Sequence, residues 1–129
     1  MSASLQSSPT LASGHEFVPA TLLRVFVGEQ DRHKSRPLYE TIILKAREMR
    51  LAGATVLRGP LGFGRSHRLH TQKILRLSDD LPVVVEIVDT PEKIEDFLPV
   101  LDEIMTGGIA TLEQISIVRP TNKQNTVAA

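Results

Sequence analysis

The chain contains no cysteine and no tryptophan, and only one Tyr and four Phe among its 129 residues. Without cysteine there is no disulfide, no thiol nucleophile and no thiolate metal site, a composition compatible with a reducing cytoplasm. Few aromatics leave Val, Ile and Leu to fill the interior, and 41% hydrophobic residues suffice for one modest core in a single domain. No apolar run approaches the roughly 20 residues of a membrane-spanning helix. Met1 to Ala20 lacks the basic n-region and apolar h-region of a secretory leader, so a cytoplasmic location is expected. A Rossmann fingerprint, a metalloprotease motif and a Ser-His-Asp order are also missing. Gly59 and Gly64 have the Walker gap, but Arg65 stands where Lys is required, and a strand rather than a long helix should follow.

Positive and negative charge cancel overall but are separated along the chain. Between Lys34 and Arg76 only Glu40 and Glu48 are acidic, whereas between Leu77 and Val118 only Lys93 is basic. Such polarity suits either two solvated faces or a contact between copies of the chain. Ser2, Ser4, Ser7, Ser8, Pro9, Ser13 and Gly14 give residues 1–20 the composition of a disordered arm, and residues 120–129 that of a flexible tail. The folded unit is expected over 21–119.

Within that unit the periodicity alternates between strand and helix. Leu22 to Val27 predicts a strand. Pro37 opens a helix whose apolar stripe is Leu38, Ile42, Ile43, Ala46 and Met49, with Gly53 as its stop. Ala54 to Arg58 and Leu81 to Val88 predict two further strands. Thr90 caps a second helix with Pro91 at its first position; Ile94, Leu98, Leu101 and Met105 form its stripe, Pro99 should kink it, and Gly107-Gly108 end it. Leu112 to Val118 is the last strand. The order strand, helix, strand, strand, helix, strand predicts an α+β, ferredoxin-like βαββαβ fold, an antiparallel sheet with both helices on one face. The first and third strands are apolar on both faces, so the uncovered face predicts self-association.

The segment from Arg58 to Thr71 joins three glycines to several cations and has no carboxylate. Glycine permits close backbone approach to a ligand, and arginine forks match phosphate oxygens, so this is an anion-binding candidate with Arg65 and Arg68 as side-chain partners. In the loop Gly28-Glu29-Gln30-Asp31 the carboxylates could meet a ribose hydroxyl, a Mg²⁺ ion or an arginine from a neighbour, or serve capping. Lys34 and Arg36 could add charge to an anion cleft. His67 and His70, three residues apart, could share a metal but lack a third ligand nearby. Glu86, inside an apolar strand, is expected to pair with Arg24 or Arg58. With zero net charge and only Phe63 available for stacking, nucleic acid is not an expected partner.

Taken together, Gly28-Glu29-Xaa-Asp31, Pro37-Leu38-Tyr39-Glu40, Ala52-Gly53-Ala54-Thr55-Val56, Arg58-Gly59-Xaa-Xaa-Gly62-Phe63-Gly64 and Leu77-Ser78-Asp79-Asp80-Leu81-Pro82 resemble the DUF190 (UPF0166) family of PII-like proteins over residues 21 to 119. The resemblance implies a homotrimeric signalling protein, not an enzyme. It implies an adenine nucleotide effector (AMP, ADP or ATP, with or without Mg²⁺) bound between subunits, and a loop over residues 59–80 that reports to a partner such as a membrane transporter. Gly28, Glu29, Asp31, Lys34, Gly62, Phe63, Gly64, Arg65, Arg68 and Arg119 are the ligand-binding candidates. The chain departs from PII proteins in two ways. Its C-terminal segment offers only Arg119 and Lys123 as phosphate clamps, and its only Tyr is Tyr39, in the first helix, so no modifiable loop tyrosine is present. A small ferredoxin-like enzyme with Glu86 or Asp31 as base, and a CutA-like metal-binding trimer, are the alternatives.

Overall fold

The computed structural model describes residues 9–63, 70–71 and 80–120. In chain order the elements are β1 (Phe17–Gly28), β2 (Arg32–His33), β3 (Arg36–Pro37), α1 (Leu38–Glu48), β4 (Gly53–Arg58), β5 (Leu61–Gly62), β6 (His70–Thr71), β7 (Pro82–Asp89), α2 (Pro91–Ile104) and β8 (Ile109–Val118). Four strands form the main sheet in the order β4-β7-β1-β8, and every neighbouring pair is antiparallel. The expected ferredoxin-like topology is therefore the fold. The two short hairpins, β2–β3 and β5–β6, lie in stretches that composition assigned to loops.

Alternation along the central strands decides which face is dry. Leu23, Val25 and Val27 of β1 and Val83, Val85 and Ile87 of β7 are buried beneath α1 and α2. Leu38, Ile42 and Ala46 supply the α1 stripe at helical spacing. In α2 the buried stripe is Ile94, Phe97, Leu101 and Ile104, whereas the expected Leu98 and Met105 are only partly buried at its margin. Phe97, fully buried, is the largest side chain of the core and sets that rotation.

The helix ends show where local signals were right and where they were overridden. Thr90 Oγ1 accepts from the Lys93 amide at 3.3 Å and Pro91 is the first helical residue, as its missing N–H permits. α2 continues through Pro99 as one helix, with that residue on the exposed side. α1 stops earlier than Gly53: Arg50 adopts φ 59° and its amide donates to Arg47 O, so Gly53 is free to begin β4. Buried Asp89 then ties the turn down, its two carboxylate oxygens accepting from the amides of Ala52 at 2.8 Å and Thr90 at 2.6 Å. β1 begins at Phe17, inside the stretch whose composition suggested an arm, because β8 extends to Val118 and pairs with it from Phe17 onward.

No helix among the described residues covers the other face of the sheet. Leu22, Phe26, Leu57, Val84, Val88 and Ile109 give it an apolar character, as the alternation predicts. A charged group sits at its centre: Arg24 Nε donates to Glu86 Oε2 at 3.0 Å and Nη1 to Glu113 Oε1 at 3.1 Å. The hydrogen bond it donates to Glu86 holds the Arg24 guanidinium above its ordinary pKa. Of the two expected partners of Glu86, Arg24 is the one used.

Gly108, at φ 92°, brings the chain from α2 into β8 beneath β1. A Cβ there would lie 2.7 Å from the Phe26 carbonyl oxygen and 2.9 Å from Met105 Cε, whereas one on Gly107 would meet nothing within 4 Å. Gly108→Ala is expected to lower stability by about 1–3 kcal/mol, and Gly107→Ala by about 0.5 kcal/mol or less. Urea unfolding of both variants checks this, and equal losses would remove the close approach as the cause.

Candidate functional site

The end of β1, the starts of β7 and β8 and the segment leaving β4 converge at one end of the sheet. They enclose a cleft of about 880 Å³, with Phe26, Gly59, Gly62, Phe63, Pro82 and Gly108 among its walls. Its position follows from the topology, because the three connections that leave this end of the sheet must turn there.

The first connection is Gly28-Glu29-Gln30-Asp31. Asp31 Oδ2 accepts from the Gly28 amide at 2.8 Å, and the Asp31 amide donates to Gly28 O at 3.1 Å, closing a tight turn. Asp80 Oδ1 accepts from the Gln30 amide at 2.8 Å, and the Glu29 amide donates to Leu81 O at 2.8 Å. Leu38 at the start of α1 donates its amide to Asp31 O at 2.8 Å. The loop is thus held between β7 and α1. Asp80, only 8% exposed, is a residue the candidate set omitted; its place immediately before an apolar strand was the signal available. Glu29 pairs with Arg58 of its own chain at 2.7 Å, not with an arginine from a neighbour.

The second connection is the glycine-rich segment. Gly59 and Gly62 lie against the ring of Pro82, where a Cβ would approach Pro82 Cγ to 3.1 and 3.3 Å. Close packing against proline is therefore one reason for glycine here, independent of any ligand. Leu61 and Gly62 pair with Thr71 and His70 as β5–β6. Phe63, 62% exposed, stands at the cleft mouth. Gly64, Arg65, Arg68 and His67 lie outside the described residues, as does the side chain of His70.

Of the remaining candidates, Gly28 and Asp31 line the cleft; Lys34 does not, and sits exposed at φ 58° in the turn of the β2–β3 hairpin. Arg119 is not brought there either. β8 starts at the cleft and runs away from it for ten residues, placing Arg119 at the far end of the sheet, about 30 Å off at the usual rise per residue. There its amide donates to Glu16 O at 2.8 Å. Among the described residues the charged lining is Asp31, Asp80 and Arg32, the last also absent from the candidate set. No group of three or more metal-ligating side chains occurs among the described residues. No helix among them is long and apolar enough to cross a membrane.

The pattern of one protein family, DUF190 ("Uncharacterized ACR, COG1993"), matches residues 20–117. A UPF0166 protein of Aquifex aeolicus (strain VF5) is 38% identical over 103 residues, covering 78% of this chain and 95% of the relative. A UPF0166 protein of Methanocaldococcus jannaschii is 33% identical over 88 residues, covering 68% and 81% respectively. Among solved structures, CPII from Thiomonas intermedia K12, a nitrogen regulatory PII-like protein bound to ADP, AMP and bicarbonate, is similar with a TM-score of 0.56. It is 19% identical, and the match covers 81% of this chain and 93% of that one. At that identity the likeness is one of fold.

The two ion-bearing ties of the Gly28–Asp31 loop should differ in weight. Asp80→Ala leaves the Gln30 amide without its charged acceptor and is expected to cost about 1.5–3 kcal/mol. Arg58→Ala removes a partly exposed pair and should cost less than about 1 kcal/mol. Chemical denaturation of both variants tests the ranking, which fails if Arg58→Ala is the more damaging.

Proposed function

The chain belongs to the DUF190 family and has the PII-like fold, and from that premise we propose that it is a regulatory protein rather than an enzyme. It binds a small anionic effector, an adenine nucleotide, in the cleft at the end of β1 and β7. The observation that carries this reading is where the 59–80 loop is rooted. Gly59, Leu61, Gly62 and Phe63 at its start and Asp80 at its end all line the cleft. A ligand there touches both ends of the loop, and any preference for one loop conformation shifts its population, which a partner then reads. A membrane transporter is the proposed kind of partner, and the cytoplasm the proposed location.

The cleft suits the two halves of a nucleotide. Phe26, Phe63, Pro82 and Val84 offer an apolar wall for a base, while Arg65 and Arg68 supply cations for phosphate. The adenine nucleotides and bicarbonate bound by CPII are of the same chemical class. The carboxylates an enzyme would use as base are occupied: Glu86 by Arg24, Asp31 by the Gly28 amide. The open sheet face supports assembly as a homotrimer, which would bury its apolar residues around the Arg24 group.

Calorimetric titration of tag-free protein with AMP, ADP and ATP, with and without Mg²⁺, should show saturable binding near one site per subunit. Arg65→Ala/Arg68→Ala should lose that binding while keeping its fold and mass. Absence of binding by all three would overturn the nucleotide reading, and unchanged affinity in the double variant would remove those arginines from the site. Light scattering at micromolar concentration should give a trimer of the 14.2 kDa chain; a monomer would refute the assembly.

A further inference from the structure

We infer that Arg32 is a further charge-recognising residue of the cleft, acting alongside Arg65 and Arg68 to distinguish a phosphorylated ligand from its neutral nucleoside. This rests on the nucleotide reading above and adds to it a residue that the sequence pattern did not single out.

The place of Arg32 in the cleft and its unspent donors make the case. Asp31 and Asp80 both face the cleft, and both are fixed by the amides they accept from, so neither can withdraw from an incoming anion. Arg32 is the only cation in the described lining.

The other described cations nearby are committed elsewhere or do not reach the cleft. Arg58 is held by Glu29 at 2.7 Å and Arg36 by Glu40 at 3.4 Å. Lys34, in the hairpin turn, is not part of the lining. Among the described residues the Arg32 side chain makes one hydrogen bond, a long one of 3.4 Å from Nη1 to Ser35 O. A guanidinium carries five N–H donors in a planar fork, so most of its capacity to grip a phosphate is unspent.

Its backbone, in contrast, is well held. Arg32 pairs with Pro37 and His33 with Arg36 across a tight turn, and the hairpin runs straight into α1, where the Leu38 amide is bonded to Asp31 O. The fork is therefore presented from a fixed base, which limits the ordering cost of binding.

The test is calorimetric titration of ADP and of adenosine into the wild-type protein and the Arg32→Ala, Arg32→Lys and Arg36→Ala variants, in EDTA and in Mg²⁺. Arg32→Ala should weaken ADP by about 10- to 100-fold, the span expected for a lost charge-assisted hydrogen bond, while adenosine binds as before. Arg32→Lys should recover only part of the loss, since a point charge lacks the fork, and Arg36→Ala should match wild type. ADP binding that is unchanged in Arg32→Ala under both conditions would overturn this inference and leave the nucleotide reading intact. Equal losses for ADP and adenosine would make Arg32 a structural residue and also overturn it. Failure of the wild-type protein to bind ADP would remove the underlying reading, and this inference with it.

Discussion

A hydrogen bond of 2.8 Å from the Gln30 amide to the Asp80 carboxylate holds together the end of the sheet where the cleft lies. It joins the connection leaving β1 to the segment entering β7, two stretches fifty residues apart in sequence. With it in place, the Glu29 amide reaches Leu81 O, the Asp31 turn closes, and α1 starts where Leu38 can enter the core. A buried carboxylate bonded to a backbone amide stays charged at little net cost, which a carboxylate without a partner in the same place could not. Asp89 plays the same part at the opposite end, between Ala52 and Thr90. Asp80 and Asp89, the two buried acids among the described residues, act as struts, one at each end of β7.

Much of the architecture was legible because it depends on short-range periodicity. Leu23, Val25 and Val27 alternate, and Leu38, Ile42 and Ala46 recur every four residues; Thr90-Pro91 states a helix start in two letters. The errors have a common origin in tertiary choice. Leu98 and Phe97 are adjacent and both apolar, and only the space beneath α2 decides that the larger ring points inward. Nothing local marks Arg50 as the left-handed residue when a glycine stands three positions on. Residues 17–20 carry no strong strand signal; they are ordered because a distant segment, Ile115 to Val118, is available to pair with them.

The two segments that meet at the cleft were legible, but not which side chains face it. The Gly28–Asp31 loop and the Gly59–Phe63 segment, far apart in sequence, do meet at one cleft. What composition could not tell is which of several cations faces it. Arg32, Lys34, Arg36 and Arg58 look interchangeable on paper; their salt bridges and the hairpin separate them. Arg119 lies far from the cleft of its own chain for a geometric reason, because a strand that begins at the cleft must end away from it. Gly59 and Gly62 carry a second lesson: a glycine that seems placed for a ligand can be placed for a neighbouring proline.

The Pro82 ring, which both of those glycines touch, opens β7 and has no amide hydrogen of its own, while its carbonyl receives the Gly59 amide at 2.8 Å. The two roots of the 59–80 loop are thereby set against one rigid ring. The span the loop must close is fixed by the sheet, and the entropy of closing a loop grows only slowly with its length. Insertions, deletions and wholesale exchange of residues between the roots should therefore weigh little on the fold. If the proposed function holds, the stretch of loop beyond Arg68 is the place where a lineage built on this scaffold can acquire a new listener by drift in length and charge, while the residues at the cleft stay as they are.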